Sequence, residues 1–174
     1  MKSGQAGDAC ATISPAGRRF LLYARRSFTY KSLMSRVAID FLDQGLHRVL
    51  FDAMPMPVFL VDHDVSILEY NSAAAHLLRE NKTAVLQRRG GDVLRCVHSR
   101  ETPHGCGHSP ACIDCVVRNS VLDAARKHRV TRRATDLELL TDGKTTKIKV
   151  RVSCQPVNYG SHSFFLLVLE GLND

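Results

Sequence analysis

The chain lacks, anywhere in its 174 residues, the run of about 18 apolar residues that a membrane-spanning helix needs. No secretory leader is expected, because the apolar stretch from Phe20 to Ala24 is too short for the hydrophobic core of such a signal. Internal repeats and low-complexity tracts are missing. So is any paired-carboxylate or Ser/His/Asp set that would mark an active site, and no enzyme is expected. Acidic residues are almost absent from the first 36 positions, where Lys2, Arg18, Arg19, Arg25, Arg26, Lys31 and Arg36 face Asp8 alone. That segment holds +6 of the formal charge of +7, and residues 37–174 carry only +1. The body of the protein offers no basic surface of its own, so nucleic acid is not an expected partner. A soluble, cytoplasmic protein is the expectation.

What the sequence does contain is an ordinary globular composition, 44% hydrophobic and 24% charged, in a length that suits one domain of about 100–150 residues plus an appendage. Residues 1–35 read as a basic tail. Over residues 36–54 the apolar side chains Val37, Ala38, Phe41, Leu42, Leu46, Val49, Leu50 and Ala53 recur at spacings of three and four, which predicts an amphipathic helix stopped by Pro55. Its stripe suits packing on its own domain or on a copy of itself, and a homodimer through this helix is expected. In "PVFLVDHDVSILEYN", Val58–Val61 and Val65–Tyr70 read as strands around a polar turn, and Asn71 as the cap of a following helix. Asp142-Gly143 is the strongest hairpin signal in the chain. Beyond it, Val150, Val152 and Cys154 alternate with Lys149, Arg151 and Ser153, and "FFLLVLEGL" predicts a last, mostly buried strand. The predicted fold is therefore α+β: a five-stranded antiparallel sheet with helices on one face, inserted between the second and third strands, and an amphipathic helix in front.

The order of these elements, with the residues "LFDAMPMPVFLVDHDVSILEYNSAAAHLL" at the start and "TDGKTTKIKVRVSCQPVNYGSHSFFLLVLEGL" at the end, resembles the PAS sensory domains. The resemblance implies a PAS-like domain over residues 55–174, a cleft between sheet and helices for a ligand or cofactor, and a signal passed to a partner protein in trans. Phe59, Leu78, Val121 and Phe165 are candidates for facing that cleft. Two positions depart from the pattern: Arg79 stands where a glycine is common, and Glu170 near the place of the Asp in a "D-I-T" triplet. A flavin-type relative would carry a reactive cysteine in an "N-C-R-F-L-Q"-like helix, which is missing here. A c-type haem needs C-x-x-C-H, but Val116 follows Cys115.

The remaining feature is a window of four thiols, Cys96, Cys106, Cys112 and Cys115, within residues 96–115. A single cysteine is usually just a small buried side chain. Four so close together, with only Cys10 and Cys154 elsewhere, point to a metal centre. The C-x-x-C pair lets two sulfurs reach one ion, and Cys96 and Cys106 complete a tetrahedron. Ser109-Pro110 reads as the cap and first residue of the long helix, which would place Cys112 in its first turn and favour the thiolate. Gly105 and Gly107 permit tight turns around Cys106. His98, His104 or His108 could replace Cys96. Only one C-x-x-C knuckle is present, and the looser spacing suits an iron–sulfur cluster; the PAS resemblance tilts the same way, toward redox or oxygen sensing. A structural zinc ion bracing a small-molecule cleft is the alternative, and a dithiol oxidoreductase using Cys112 and Cys115 a further one.

Overall fold

The two apolar runs that do not alternate, Val58–Val61 and Phe164–Leu169, form the middle of the sheet in the computed structural model, which describes residues 45–78, 80–127 and 129–171. The basic tail, Cys10, the first part of the predicted 36–54 helix and Arg79 lie outside the described residues. Strands β1 (Val58–Val61), β2 (Ile67–Tyr70), β3 (Thr131–Thr141), β4 (Lys144–Tyr159) and β5 (His162–Gly171) make one antiparallel sheet in the order β2-β1-β5-β4-β3. Between β2 and β3 come α2 (Ser72–Leu78), α3 (Lys82–Val85), α4 (Gly90–Val93) and the long α5 (Val116–Lys127), preceded in the chain by α1 (Leu46–Ala53).

Both faces of the central strands are covered, which explains why their sequence is apolar at every position. Phe59, Val61, Phe165, Leu167 and Leu169 join Ala74, Leu78, Val85, Val93, Val121 and Ala124 from the inserted helices in one core. Val58, Leu60, Leu68 and Phe164 point the other way and pack with Phe51 of α1. The inserted helices thus occupy one face, as expected, and α1 covers the opposite one.

Local chemistry accounts for the connections. Asp142 and Gly143 take φ of 50° and 77°, both left-handed, as a two-residue hairpin turn between β3 and β4 requires. The β1–β2 connection is longer than its sequence indicates. Val65, expected in a strand, has φ 61°, an uncommon conformation for a β-branched residue, and β2 starts at Ile67. The buried Asp62 carboxylate holds this turn, accepting the N–H groups of Asp64 and Ser66, both at 2.9 Å. Asn71 is fully buried and caps α2 as predicted: its Oδ1 accepts from the N–H groups of Ala74 and Val58, both at 3.0 Å. Its Nδ2 donates to the carbonyls of Met54 and Met56 at 3.1 and 2.9 Å. One side chain thereby ties the end of α1, the start of β1 and the start of α2 together. On α1, Arg48 bonds Asp52 at 2.6 Å and lies 3.4 Å from the buried Glu69, which Lys82 also pairs at 2.6 Å. Leu46, Val49 and Leu50 of the same helix are exposed.

Cys154 sits in the core as the alternation of β4 predicts, with no exposed surface, and burial pushes its thiol up to about 12. The unfolded chain ionises this group first, so folding stability is expected to fall by about 1.4 kcal/mol per pH unit above the ordinary thiol range, until the folded protein also titrates. Iodoacetamide at pH 8 should accordingly leave Cys154 unlabelled in folded protein and label it in urea, as peptide mass spectrometry would read. Equal labelling in both states would contradict this placement.

Candidate metal centre

Residues 90–116 fold over the front of the sheet as a series of short turns, and these enclose a cavity of about 610 Å³ whose wall includes Cys96, Cys106, Cys112 and Cys115. All four cysteines of the twenty-residue window therefore line one space. Phe59, Val61, Ile67, Leu167 and Leu169 supply its apolar floor from β1, β2 and β5.

Each cysteine is set by a different device. Cys96 follows α4, donates its N–H to the Gly91 carbonyl at 2.8 Å, and forms an isolated antiparallel bridge with Leu139 on the outer edge of β3. Its carbonyl accepts the N–H and the hydroxyl of Ser99 at 3.0 and 2.7 Å. Cys106 lies between Gly105 and Gly107, whose φ of 74° and 90° confirm the need for glycine on either side. Cys112 is buried in a single 3₁₀ turn, Pro110–Ile113, capped by Ser109, whose hydroxyl accepts from the Ala111 N–H at 3.1 Å. Cys115 precedes α5, its carbonyl accepting from the Asn119 N–H at 2.9 Å.

This corrects one expectation. Ser109 and Pro110 cap their own short turn, and α5 begins only at Val116, so Cys112 is not in the first turn of the long helix. The Cys115 N–H reaches back to the Cys112 carbonyl at 3.4 Å, and this closes the turn before the helix can start.

Sequence reasoning missed the segment Arg89-Gly90-Gly91-Asp92, which clasps Cys106 from across the cavity. The Asp92 carboxylate accepts the Cys106 N–H at 2.7 Å, and Arg89 Nη1 donates to the Cys106 carbonyl at 2.7 Å. Gly91 must lack a side chain, because a Cβ there would lie 2.6 Å from the Cys106 sulfur and 3.5 Å from Cys96 Cβ. Only the G-G pair ahead of the first cysteine could have signalled this close approach.

The histidine alternatives fare differently. His98 and His108 line the cavity, but His98 Nδ1 lies 2.6 Å from Glu101 Oε1, and His108 Nε2 2.7 Å from Arg89 Nη1. Glu101 also accepts the Ser109 hydroxyl, and these two bonds hold its carboxyl below the usual range. His104 stacks at an angle on His108, with ring centroids 5.5 Å apart, and is not part of the wall. Of the four cleft candidates, Phe59 lines the cavity; Leu78, Val121 and Phe165 belong to the solid core beneath it.

Comparison with known proteins agrees with this architecture. Residues 45–108 match the PAS domain family. The fold is similar to the PAS domain of nitrogen regulation protein NR(II) from Vibrio parahaemolyticus, with TM-score 0.54 at 12% identity, covering 74% of this chain and 100% of that one. The fold is PAS-like. The PAS domain of BvgS from Bordetella pertussis is also similar, with TM-score 0.53 at 18% identity over 78% of this chain and 88% of that one. No curated protein matches the sequence. The matched stretch of the PAS family takes in Cys96 and Cys106 but ends before Cys112 and Cys115.

Within this PAS-like fold the donor chemistry is that of a thiol cluster. Burial raises the thiols of Cys96 and Cys106, the latter to about 11, and the neighbouring Cys112 and Cys115 raise both further. The backbone acts in the opposite sense, through His98 and Ser99 on Cys96 and through Gly91 on Cys106. Sulfurs that repel one another when ionised, yet are supplied with backbone donors, are a set that a cation would stabilise. Among the described residues, no group of three or more His, Cys, Asp or Glu is placed to hold a metal ion. The four cysteines line one cavity, and their sulfurs do not meet at a common point.

Proposed function

We propose that this PAS protein is a non-catalytic, cytoplasmic redox or oxygen sensor. Its centre is held by Cys96, Cys106, Cys112 and Cys115, with an iron–sulfur cluster favoured, and it acts on a partner protein in trans. The presence of all four cysteines of the 96–115 window in the wall of one cavity carries this reading. The open spacing of the thiols, their peptide N–H donors and the single C-x-x-C pair favour a body larger than one ion. A bound cluster supplies an oxidation-sensitive crosslink, and the chain does the rest. Cys96 is bridged to Leu139 of β3, and Cys115 immediately precedes α5, so loosening the loop frees one edge of the sheet and the start of the long helix. The exposed Leu46, Val49 and Leu50 of α1 give the domain an apolar surface suited to pairing with a second copy, on the far side of the same sheet.

The apolar floor of the cavity supports a second reading, in which zinc braces the loop and a small apolar molecule occupies the cleft. One measurement separates the two. Protein purified without oxygen should be brown, with broad visible absorbance that bleaches in air, and should hold iron and acid-labile sulfide. Colourless protein with one zinc per chain would transfer the proposal to the braced cleft, and protein with neither would defeat both. Insulin reduction by metal-free protein would instead revive the dithiol oxidoreductase based on Cys112 and Cys115.

A further inference from the structure

Arg89 is committed at every nitrogen of its guanidinium. Nε and Nη2 donate to Asp64 Oδ2 at 3.0 and 2.6 Å. Nη1 donates to the Cys106 carbonyl at 2.7 Å and lies 2.7 Å from His108 Nε2. The side chain is only 23% exposed, so these bonds are less screened than those of a surface pair. Asp64 belongs to the β1–β2 turn, whose other contacts also lead to the same segment: Ser66 bridges to Arg89, and the Gly90 N–H donates to the Val65 carbonyl at 3.1 Å. Val65, left-handed and buried, stands in this turn and lines the cavity. At the other end, Gly107 with φ 90° allows the chain to leave Cys106 with its carbonyl aimed at the arginine.

We infer that Arg89 is a positioning residue that fixes Cys106 to the β1–β2 turn, so that the state of the cysteine centre reaches the sheet through Asp64 as well as α5 through Cys115. This rests on the sensor reading above and adds a second route for its signal. An arginine is required because its planar fork spans two partners at once, whereas a lysine provides charge from a single point. Electrostatic compensation of the thiolates alone would be met by either residue.

The test uses the full chain, with Arg89→Gln and Arg89→Lys. In reduced, metal-free protein, iodoacetamide labelling of Cys106, read by peptide mass spectrometry, should rise roughly tenfold in both variants as the loop opens locally, while Cys154 stays unlabelled. Cobalt(II), used as a spectroscopic probe for the thiolates, should bind roughly 10- to 100-fold more weakly in both. In the wild type, removing cobalt should change hydrogen exchange in residues 62–66 and in α5; in Arg89→Gln only α5 should respond. Unchanged Cys106 labelling in Arg89→Gln, wild-type behaviour in Arg89→Lys, or an undiminished response of residues 62–66 would overturn the inference. Because labelling is read without metal, a wild-type chain that bound no metal would remove the sensor reading and the signal route while the labelling still decided whether Arg89 positions Cys106.

Discussion

Replacing Asn71 with alanine is expected to lower folding stability by about 3–4 kcal/mol, because four hydrogen bonds vanish at a buried site and each stranded polar group costs about 1–3 kcal/mol unless water reaches it. The groups left without a partner are the N–H groups of Val58 and Ala74 and the carbonyls of Met54 and Met56. The loss is not confined to the cap of α2, which alone contributes about 1 kcal/mol. Asn71→Asp keeps the acceptor but turns an oxygen toward two carbonyls, so it should recover only part of the loss. Urea unfolding followed by circular dichroism checks both variants. A change below 1 kcal/mol in Asn71→Ala would mean that the linker between α1 and β1 is held by something else. Since α1 also carries the exposed apolar surface, this variant should loosen that helix from the sheet before the cysteine loop is disturbed.

Gly91→Ala is expected to be nearly as damaging to the proposed centre as replacing one of its cysteines, and Gly90→Ala nearly silent. The two glycines are adjacent in α4, where alanine by itself would favour the helix by about 1 kcal/mol. Their surroundings decide the outcome. A Cβ at position 90 meets nothing closer than Val65 Cγ1 at 3.8 Å, an ordinary contact, whereas one at position 91 would lie 2.6 Å from the Cys106 sulfur and 3.2 Å from its Cβ. Cys106 must then move away from the cavity wall, and metal affinity should fall by roughly 10- to 100-fold, the range for groups that support a ligand. Metal content after purification and cobalt titration of both variants give the comparison. Equal behaviour of Gly90→Ala and Gly91→Ala would show that the Cys106 sulfur is not held against α4.

Much of the fold was legible because its signals are local. Asp142-Gly143 can take two left-handed conformations in succession, Asn71 can cap a helix, and the alternation of Val150, Val152 and Cys154 has a single buried face; each depends on residues within one turn or one strand. The β1–β2 turn was read one step short. Nothing near Val65 marks it as left-handed, since the cause is the buried Asp62 carboxylate bonding forward to Asp64 and Ser66. The start of α5 was placed too early for a similar reason: Ser109-Pro110 is a sound cap, but the turn it caps closes on itself at Cys115.

The candidate site divides in the same way. Cys96, Cys106, Cys112 and Cys115 could be named from their density in the chain, because a cluster of scarce, metal-binding side chains is visible without coordinates. Arg89, Gly91, Asp92 and Asp64 could not, since an arginine, a glycine and two aspartates are common and unremarked until the chain folds back on them. By itself, therefore, the sequence determined the order and kind of the elements and the identity of the thiols, both of which depend on neighbours along the chain. Only the tertiary structure decided that those thiols face one cavity, that α1 lies on the opposite side of the sheet, and that Cys106 is bound to the β1–β2 turn through Arg89. The last rests on bonds between residues 17 and 25 apart and the other two on longer-range contacts such as Phe51 with Phe164, and the pairing of such segments is set by the packing of the whole sheet rather than by any stretch of it.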